Sequence, residues 1–305
     1  MMRLNNREGG AMTRFARFKK IIRTDVPLAM HTWLQLGGRV EYFAEPRSEE
    51  ELIDLLHEAR EANIPTRVLG TGTNILVSDD GVPGMVIRLS SPEFCWIEAE
   101  PGKEIVSAGG GAKLGRVVTT AVYQGLSGME GLIGIPGTVG GAVWNNIMTS
   151  DGDIGQWVDS VRVVTFAGDA VDLSRDEIVF SDHGTSLENA VIVSCRFRLI
   201  PEDPEELSRR LQKIWIIRKK SQPSGYQGAG WLFKDPLGQT ATSLIEEAGL
   251  TGTRIGGAVI CDRNPNFVMI EPECSSDDVR RLIRLIQTQV RERFGVDLEP
   301  DLKMW

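Results

Sequence analysis

Residues 125–146 read GLSGMEGLIGIPGTVGGAVWNN, an apolar path interrupted every few positions by glycine and once by Pro136. A regular helix or strand tolerates so much glycine poorly, because glycine loses more backbone freedom on folding than any other residue. The pattern makes sense where main chain must pass flush against a flat or phosphate-bearing ligand. A shorter stretch of the same kind, GTGTN at 70–74, follows the strand-like TRVLG and offers consecutive N–H groups in a tight turn. Taken alone, that turn reads either as an anion nest or as a simple tight turn. It is not a Rossmann fingerprint, because ILVSD continues as strand rather than opening a helix.

Around these turns the periodicity is plain. SEEELIDLLHEAREAN (48–63) predicts a helix with Ser48 and Glu51 as a capping box, an apolar stripe at Leu52, Leu55, Leu56 and Ala59, and Pro65 beyond its end. With TRVLG, ILVSDDG and GMVIRL it makes a β-α-β unit. Strands are expected near 94–98, 104–108, 161–166, 170–172 and 190–199, with a helix carrying Leu114, Val117, Val118 and Ala121. PEDPEEL (201–207) reads as the main domain break. Beyond it, ELSRRLQKIWIIRKK looks helical, and 276–295 is the clearest helix, capped by Ser276, striped by Val279, Ile283, Ile286, Val290 and Phe294, and stopped by Gly295.

Bulk properties narrow the function. The chain has 305 residues, 41% hydrophobic and 25% charged, the composition of a globular protein with room for more than one domain. A net charge of −8 argues against nonspecific binding to nucleic acid or to an anionic membrane. Cys95, Cys195, Cys261 and Cys274 stand far apart with no CxxC pair, which suits a reducing cytoplasm and suggests neither a disulfide framework nor a metal site. No apolar run reaches the length of a membrane span. Residues 1–30 read as a basic, loosely docked leader and helix, in which Met12 is an alternative start.

Several stretches resemble one family. HTWLQLGGRVEYFAEPRSEEEL (31–52), VLGTGTNILVSDDGVPGMVIRL (68–89) and the 125–146 segment look like the flavin-binding half of UDP-N-acetylenolpyruvoylglucosamine reductase (MurB), shorter type. GWLFKDP (230–236), SLIEEAGLTGTRIGGA (243–258), NPNFV (264–268) and FGVDLEPDL (294–302) resemble its substrate-binding half. The resemblance implies an α+β chain: an FAD-binding fold of the vanillyl-alcohol-oxidase (PCMH) type over 31–200, in subdomains of about 31–92 and 93–200, then a smaller α/β substrate domain over 206–305. It implies FAD on Gly70, Thr71, Gly72, Thr73 and Asn74 and on Gly134, Ile135, Pro136, Gly137, Gly140 and Gly141. NADPH would reduce the flavin, and the enolpyruvyl ether of UDP-N-acetylglucosamine would then be reduced to UDP-N-acetylmuramate for peptidoglycan. The substrate is a small nucleotide sugar, held near Lys234, Asp235 and Asn266. Neither a metal nor an obligate protein partner is implied.

The resemblance weakens where the chemistry should be. The family places a serine or cysteine, the proton donor, after the glycine of GWLFKDP; here it is Trp231, whose indole N–H cannot act as an acid near neutral pH. The family arginine at the FSDHGTS position is His183, preceded by Asp182, and the family glutamate of the terminal motif is Asp301, one methylene shorter. His183 with Asp182 reads as a general base or as a solvated loop; Tyr226 reads as a substitute hydroxyl or a surface aromatic. Trp144 flanks the flavin or fills the core. Two outcomes stay open: a working reductase in which Asp301 and His183 have taken over, or a flavoprotein that keeps FAD and has lost this reaction.

Overall fold

The computed structural model describes residues 15–100, 102–149, 152–222 and 229–305. The chain opens with strand β1 (Ile22–Pro27), antiparallel to β2 (Arg39–Ala44). Helix α1 (Glu49–Glu61) then crosses over to β3 (Thr66–Val68). After a short strand, β4 (Ile75–Leu76), β5 (Val82–Ile87) inserts between β2 and β3, parallel to both. The sheet order β1-β2-β5-β3 confirms the expected β-α-β unit. The stripe on α1 is buried as its spacing predicts, with Leu52 and Leu55 at 0% exposure; each such leucine contributes about 1.5–3 kcal/mol. Its cap differs by one residue from the reciprocal box. Ser48 Oγ accepts from the Glu51 N–H at 3.2 Å, but the Glu51 carboxylate reaches the N–H of Arg47.

Residues 15–30 are not a leader. Phe15, Phe18 and Ile21 are buried against α1 and the first sheet, and β1 is an integral edge strand. The sequence reading missed this because the basic residues between these aromatics hide their spacing. Residues 1–14, including Met12, lie outside the described residues.

The second subdomain is an antiparallel sheet. In chain order come β6 (Ile97–Ala99), β7 (Ile105–Gly109), helix α2 (Leu114–Tyr123), helix α3 (Val139–Trp144), β8 (Val158–Thr165), β9 (Ala170–Ser174), the short strands β10 (Phe180–Ser181) and β11 (Gly184–Thr185), and β12 (Ala190–Arg198). The spatial order β9-β8-β12-β7-β6 puts β12 at the centre, where its AVIVSCRFR pattern buries nearly every residue of the first half. Val164, Val191 and Val193 share a core with α1, Met85 and Ile87, which ties the two sheets together.

Helix α4 (Pro204–Ser221) contains the expected helical stretch but starts earlier, inside the 201–207 segment, with Asp203 as N-cap and Pro204 in the first turn. Its Leu211 and Ile214, however, pack on the core of the second subdomain. It therefore closes the flavin-type domain, and the chain leaves that domain after α4 rather than at 201–207. The remaining elements are β13 (Ala229–Trp231), helix α5 (Ala241–Glu247), β14 (Arg254–Ile255), β15 (Ala258–Ile260), β16 (Phe267–Ile270), helix α6 (Ser276–Phe294) and β17 (Lys303–Met304). Their sheet runs β13-β16-β15-β14, with α5 and α6 against it.

Two seams join this domain to the first. Leu34, Leu36 and Leu76 enter its core, and β17 returns to pair in parallel with β4. At the head of α6 the cap is Ser275, not Ser276, with Asp278 completing a capping box. Ser276 is used between domains: its N–H and Oγ both bond to Asp79 Oδ2, at 2.8 and 2.9 Å. We predict that a double-mutant cycle of Asp79→Ala and Ser276→Ala, measured by urea unfolding, gives a coupling of about 1–2 kcal/mol. Additive losses would show that the seam does not depend on this contact.

Candidate active site

The two glycine stretches meet. Thr73 Oγ1 donates to the carbonyl of Pro136 at 3.3 Å, and a Cβ on Gly70 would stand 2.8 Å from Thr138 Oγ1. The turn over 70–74 is fixed from below as well, since the Trp33 N–H bonds to the Gly72 carbonyl at 2.8 Å. Gly72 has φ +68, and a Cβ there would lie 2.3 Å from the His31 carbonyl oxygen, so no other residue fits. Beneath the turn the His31 ring stacks on Phe43 at 4.4 Å and takes a contact from Arg88. Burial, reinforced by Arg88 and Arg23, holds His31 below the ordinary histidine value.

The second stretch divides in two. Gly134 has φ +79, and nothing lies within 4 Å of a Cβ placed on Gly137. Arg218, reaching back from α4, donates to the Ile133 carbonyl at 2.5 Å and lays its stem over Gly134. From Val139 onward the chain is the helix α3, and its amides are already used. The Gly140 N–H bonds to the Gly110 carbonyl at 2.8 Å, and the Gly141 N–H to Thr138 Oγ1 at 3.2 Å. The Ile135 N–H is also taken, by the Leu132 carbonyl. The expectation that Gly140 and Gly141 offer amides to a ligand is thus corrected. Gly140 serves close packing instead, since a Cβ would approach the Gly110 carbonyl to 3.0 Å.

The residues expected to carry chemistry converge from three parts of the chain. His183 sits at the tip of the β10–β11 hairpin with φ +59, a conformation unfavourable for a non-glycine residue. The hairpin is pinned at both strands: Asn146 Nδ2 donates to the Ser181 carbonyl at 3.0 Å, and Thr185 Oγ1 to the Trp144 carbonyl at 3.3 Å. Asp301 arrives from the C-terminal segment, its N–H on the Leu232 carbonyl at 2.8 Å and its carbonyl accepting from Asn74 Nδ2 at 3.2 Å. His183 Nδ1 lies 3.2 Å from Asp301 Oδ1. Asp301 is 8% exposed, and this oxygen has no hydrogen bond of good geometry, so the two groups are in close contact without being aligned. Trp144 lies under Lys303, whose Nζ is 5.7 Å from the ring centre.

Trp231 pairs with Phe267 across β13 and β16, and the two rings meet edge to face at 5.0 Å, with Cys261 and Met269 alongside. Its indole is a packed wall. Asn266, expected on the substrate, is instead fully buried. Its Oδ1 accepts from the Phe233 N–H at 2.9 Å and its Nδ2 donates to the Phe233 carbonyl at 2.8 Å, so the fully buried amide braces the GWLFKDP strand. Asp235 Oδ1 accepts from the Ala241 N–H at 2.8 Å at the start of α5, while the residue itself is exposed. Lys234 pairs with Glu299. Tyr226 lies outside the described residues. Of the thiols, burial pushes Cys95 and Cys195 up, and burial with Asp278, Asp79 and Glu271 pushes Cys274 to about 11; none of these three is a ready nucleophile.

Sequence reasoning missed one grouping. Trp215, Ile216, Lys219 and Lys220 on α4 face Arg263 across a hollow of about 500 Å³. The KK pair was visible, but Arg263 joins it only through the fold. Among the described residues no helix is long and apolar enough to cross a membrane.

Comparison with known proteins gives consistent findings. A model described as an FAD binding domain matches residues 40–174, and one for the C-terminal domain of UDP-N-acetylenolpyruvoylglucosamine reductase matches 222–305, in keeping with the chain's exit after α4. A UDP-N-acetylenolpyruvoylglucosamine reductase of Rhodopirellula baltica is 36% identical over 285 residues, covering 93% of either chain. One of Parasynechococcus marenigrum is 35% identical, covering 92% of this chain and 95% of its own. The crystal structure of the reductase of Thermus caldophilus superposes with a TM-score of 0.79 at 33% identity, covering 93% of this chain and 99% of that one.

We predict that Asn266→Ala lowers stability by roughly 2–5 kcal/mol in urea unfolding, because it strands the N–H and carbonyl of a fully buried Phe233. A loss below about 1 kcal/mol would mean that the strand is braced elsewhere.

Proposed function

The chain belongs to the UDP-N-acetylenolpyruvoylglucosamine reductase family, and from that footing we propose how its own residues serve the reaction. It is a flavin-dependent oxidoreductase with FAD as cofactor and NADPH as electron donor, acting in peptidoglycan precursor synthesis. The substrate read from its relatives' names is the enolpyruvyl ether of UDP-N-acetylglucosamine, and the product is UDP-N-acetylmuramate. The cytoplasmic setting suggested by four unpaired cysteines is part of the proposal.

The observation that carries this reading is the Thr73–Pro136 contact, which makes one cradle of two glycine turns 63 residues apart. The cradle suits FAD. Gly137 leaves open space where a side chain would stand, and the backbone bends at Gly72 and Gly134 are ones that bring N–H groups together into an anion nest. Residues 71–74 and 134–137 would hold the pyrophosphate, with Gly140 and Gly141 supporting them from behind. Bound there, FAD supplies a two-electron carrier that NADPH charges and the enolpyruvyl carbon discharges.

Asp301 and His183 bring an ionisable pair from both domains to one point, and we assign the reacting end of the substrate to them. Lys234, with Lys219, Lys220 and Arg263 along the hollow, supports binding of a diphosphate, which needs several cations rather than one. Trp231 narrows the site and supplies no proton. Asn266 and Asp235 act indirectly, by holding residues 231–235 in place.

The test begins with an anaerobic preparation. A yellow protein, bleached by NADPH and re-coloured by the enolpyruvyl nucleotide, is the expected result; bleaching that the nucleotide does not reverse would leave a flavoprotein with a different task. Gly137→Leu gives a separate check on the cradle. At φ +159 a side chain is strained although nothing obstructs its Cβ, so circular dichroism must first show that the variant keeps the unaltered fold before its affinity is read. We expect at least a tenfold loss of FAD affinity by fluorescence titration, about 1.4 kcal/mol. Unchanged affinity would place the flavin elsewhere.

A further inference from the structure

The reaction adds a hydride to one carbon and a proton to its neighbour, and the chain must supply that proton. Trp231 cannot, because an indole N–H is a donor without acidity in this range. We propose that His183 is the proton donor and that Asp301 is its positioning partner, holding the imidazole through Nδ1 and leaving Nε2 to carry the proton. The proposal rests on the reductase reading above.

Three observations point this way. First, Asp301 Oδ1 is buried and without an aligned donor, while His183 Nδ1 stands 3.2 Å away. A buried carboxylate oxygen left unpaired costs on the order of 1–3 kcal/mol, and a small rotation of the imidazole would satisfy it. Second, His183 is held in the left-handed region at φ +59 by a hairpin anchored through Asn146 and Thr185. Such a conformation costs of order 1 kcal/mol and persists only where surrounding contacts impose it, so the backbone that carries the ring is held beside Asp301 by the fold. Third, the His183 side chain is 21% exposed against 12% for Asp301, so the imidazole is the member that water reloads more readily. The charged residues nearest the pair along the chain are Asp182 in the hairpin and, on either side of Asp301, Glu299, which pairs with Lys234, and Lys303, whose Nζ lies over Trp144.

The step balances. Once hydride has been delivered to one carbon, the electron pair of the former double bond rests on the neighbouring carbon and its carboxylate. The Nε2–H bond of the imidazolium breaks and a C–H bond forms. The N–H electron pair stays on a neutral imidazole whose Nδ1–H faces Asp301, and Nε2 is then reprotonated from water. The carboxylate fixes which nitrogen keeps its hydrogen, as in other histidine–carboxylate pairs.

The FAD-loaded protein tests this in its two half-reactions. Flavin reduction by NADPH needs no proton from the pair and serves as control. Re-oxidation by the enolpyruvyl nucleotide should fall about 10²–10⁴-fold in His183→Gln. Any pH dependence of this half-reaction in the unaltered protein should be absent from the variant. His183→Arg keeps a cation with no transferable proton and should be as slow as His183→Gln. An arginine variant as fast as the unaltered protein, or a pH dependence that survives in His183→Gln, would overturn the assignment in favour of simple charge stabilisation. A readout independent of turnover is available, because the chain has only three histidines. Long-range 1H–15N correlation at alkaline pH should show neutral His183 protonated on Nδ1, with the opposite tautomer excluding the pair. If the unaltered, reduced protein ignores the nucleotide, the reductase reading fails and the donor role with it, while the tautomer still decides whether the pair exists.

Discussion

Everything else in the molecule is arranged around the contact of two glycine turns. Thr73 reaches Pro136 and Gly70 fits under Thr138, so a mixed sheet and an antiparallel one are joined through their glycine turns. Neither turn is rigid by composition. Each becomes so because its carbonyls are taken by protein: Gly72 by Trp33, Gly137 by Leu114, Pro136 by Thr73 and Asn74 by Lys303. A ligand site made of main chain requires this, since an N–H nest keeps its shape only if the opposite face of each peptide is already committed. The shared core of Val164, Val191 and Val193 with α1 supplies the apolar energy that holds the two sheets in register around that contact.

The third layer adds chemistry to the cradle. Asp301 is placed by main-chain bonds alone, to Leu232 within its own domain and from Asn74 across the interface. Its position is therefore insensitive to the length of its side chain, and a carboxylate one methylene shorter can be met by a ring that comes to it. The hairpin bearing His183 does so, anchored by Asn146, which itself ties α3 to the loop at Gly155.

Much of this architecture was legible in residue order. The α1 and α6 stripes, the β-α-β unit and the left-handed stop at Gly295 all follow from local rules that burial does not override. What was hidden depends on partners distant in sequence. Helix α4 reads as the start of a new domain because its polar first turn follows two prolines; only Leu211 and Ile214 show which core it joins. Gly140 and Gly141 look like ligand glycines until Gly110 and Thr138 take their N–H groups. Asn266 resembles a recognition residue, yet it braces Phe233 inside a strand. The identities of Trp231, His183 and Asp301 were readable as departures from a family; that two of them touch was not, because no local pattern brings a hairpin tip to a segment more than a hundred residues away.

One consequence concerns biosynthesis. Asn74 must wait for 227 further residues before Asp301 can accept its side-chain amide, and slightly longer before Lys303 caps its carbonyl. During translation the first sheet can form, but its nucleotide turn remains half-tied until β17 emerges and lies beside β4. Maturation of the cofactor cradle is therefore a late event on the ribosome, and a chaperone or protease sampling the nascent chain meets that turn while it is still loose.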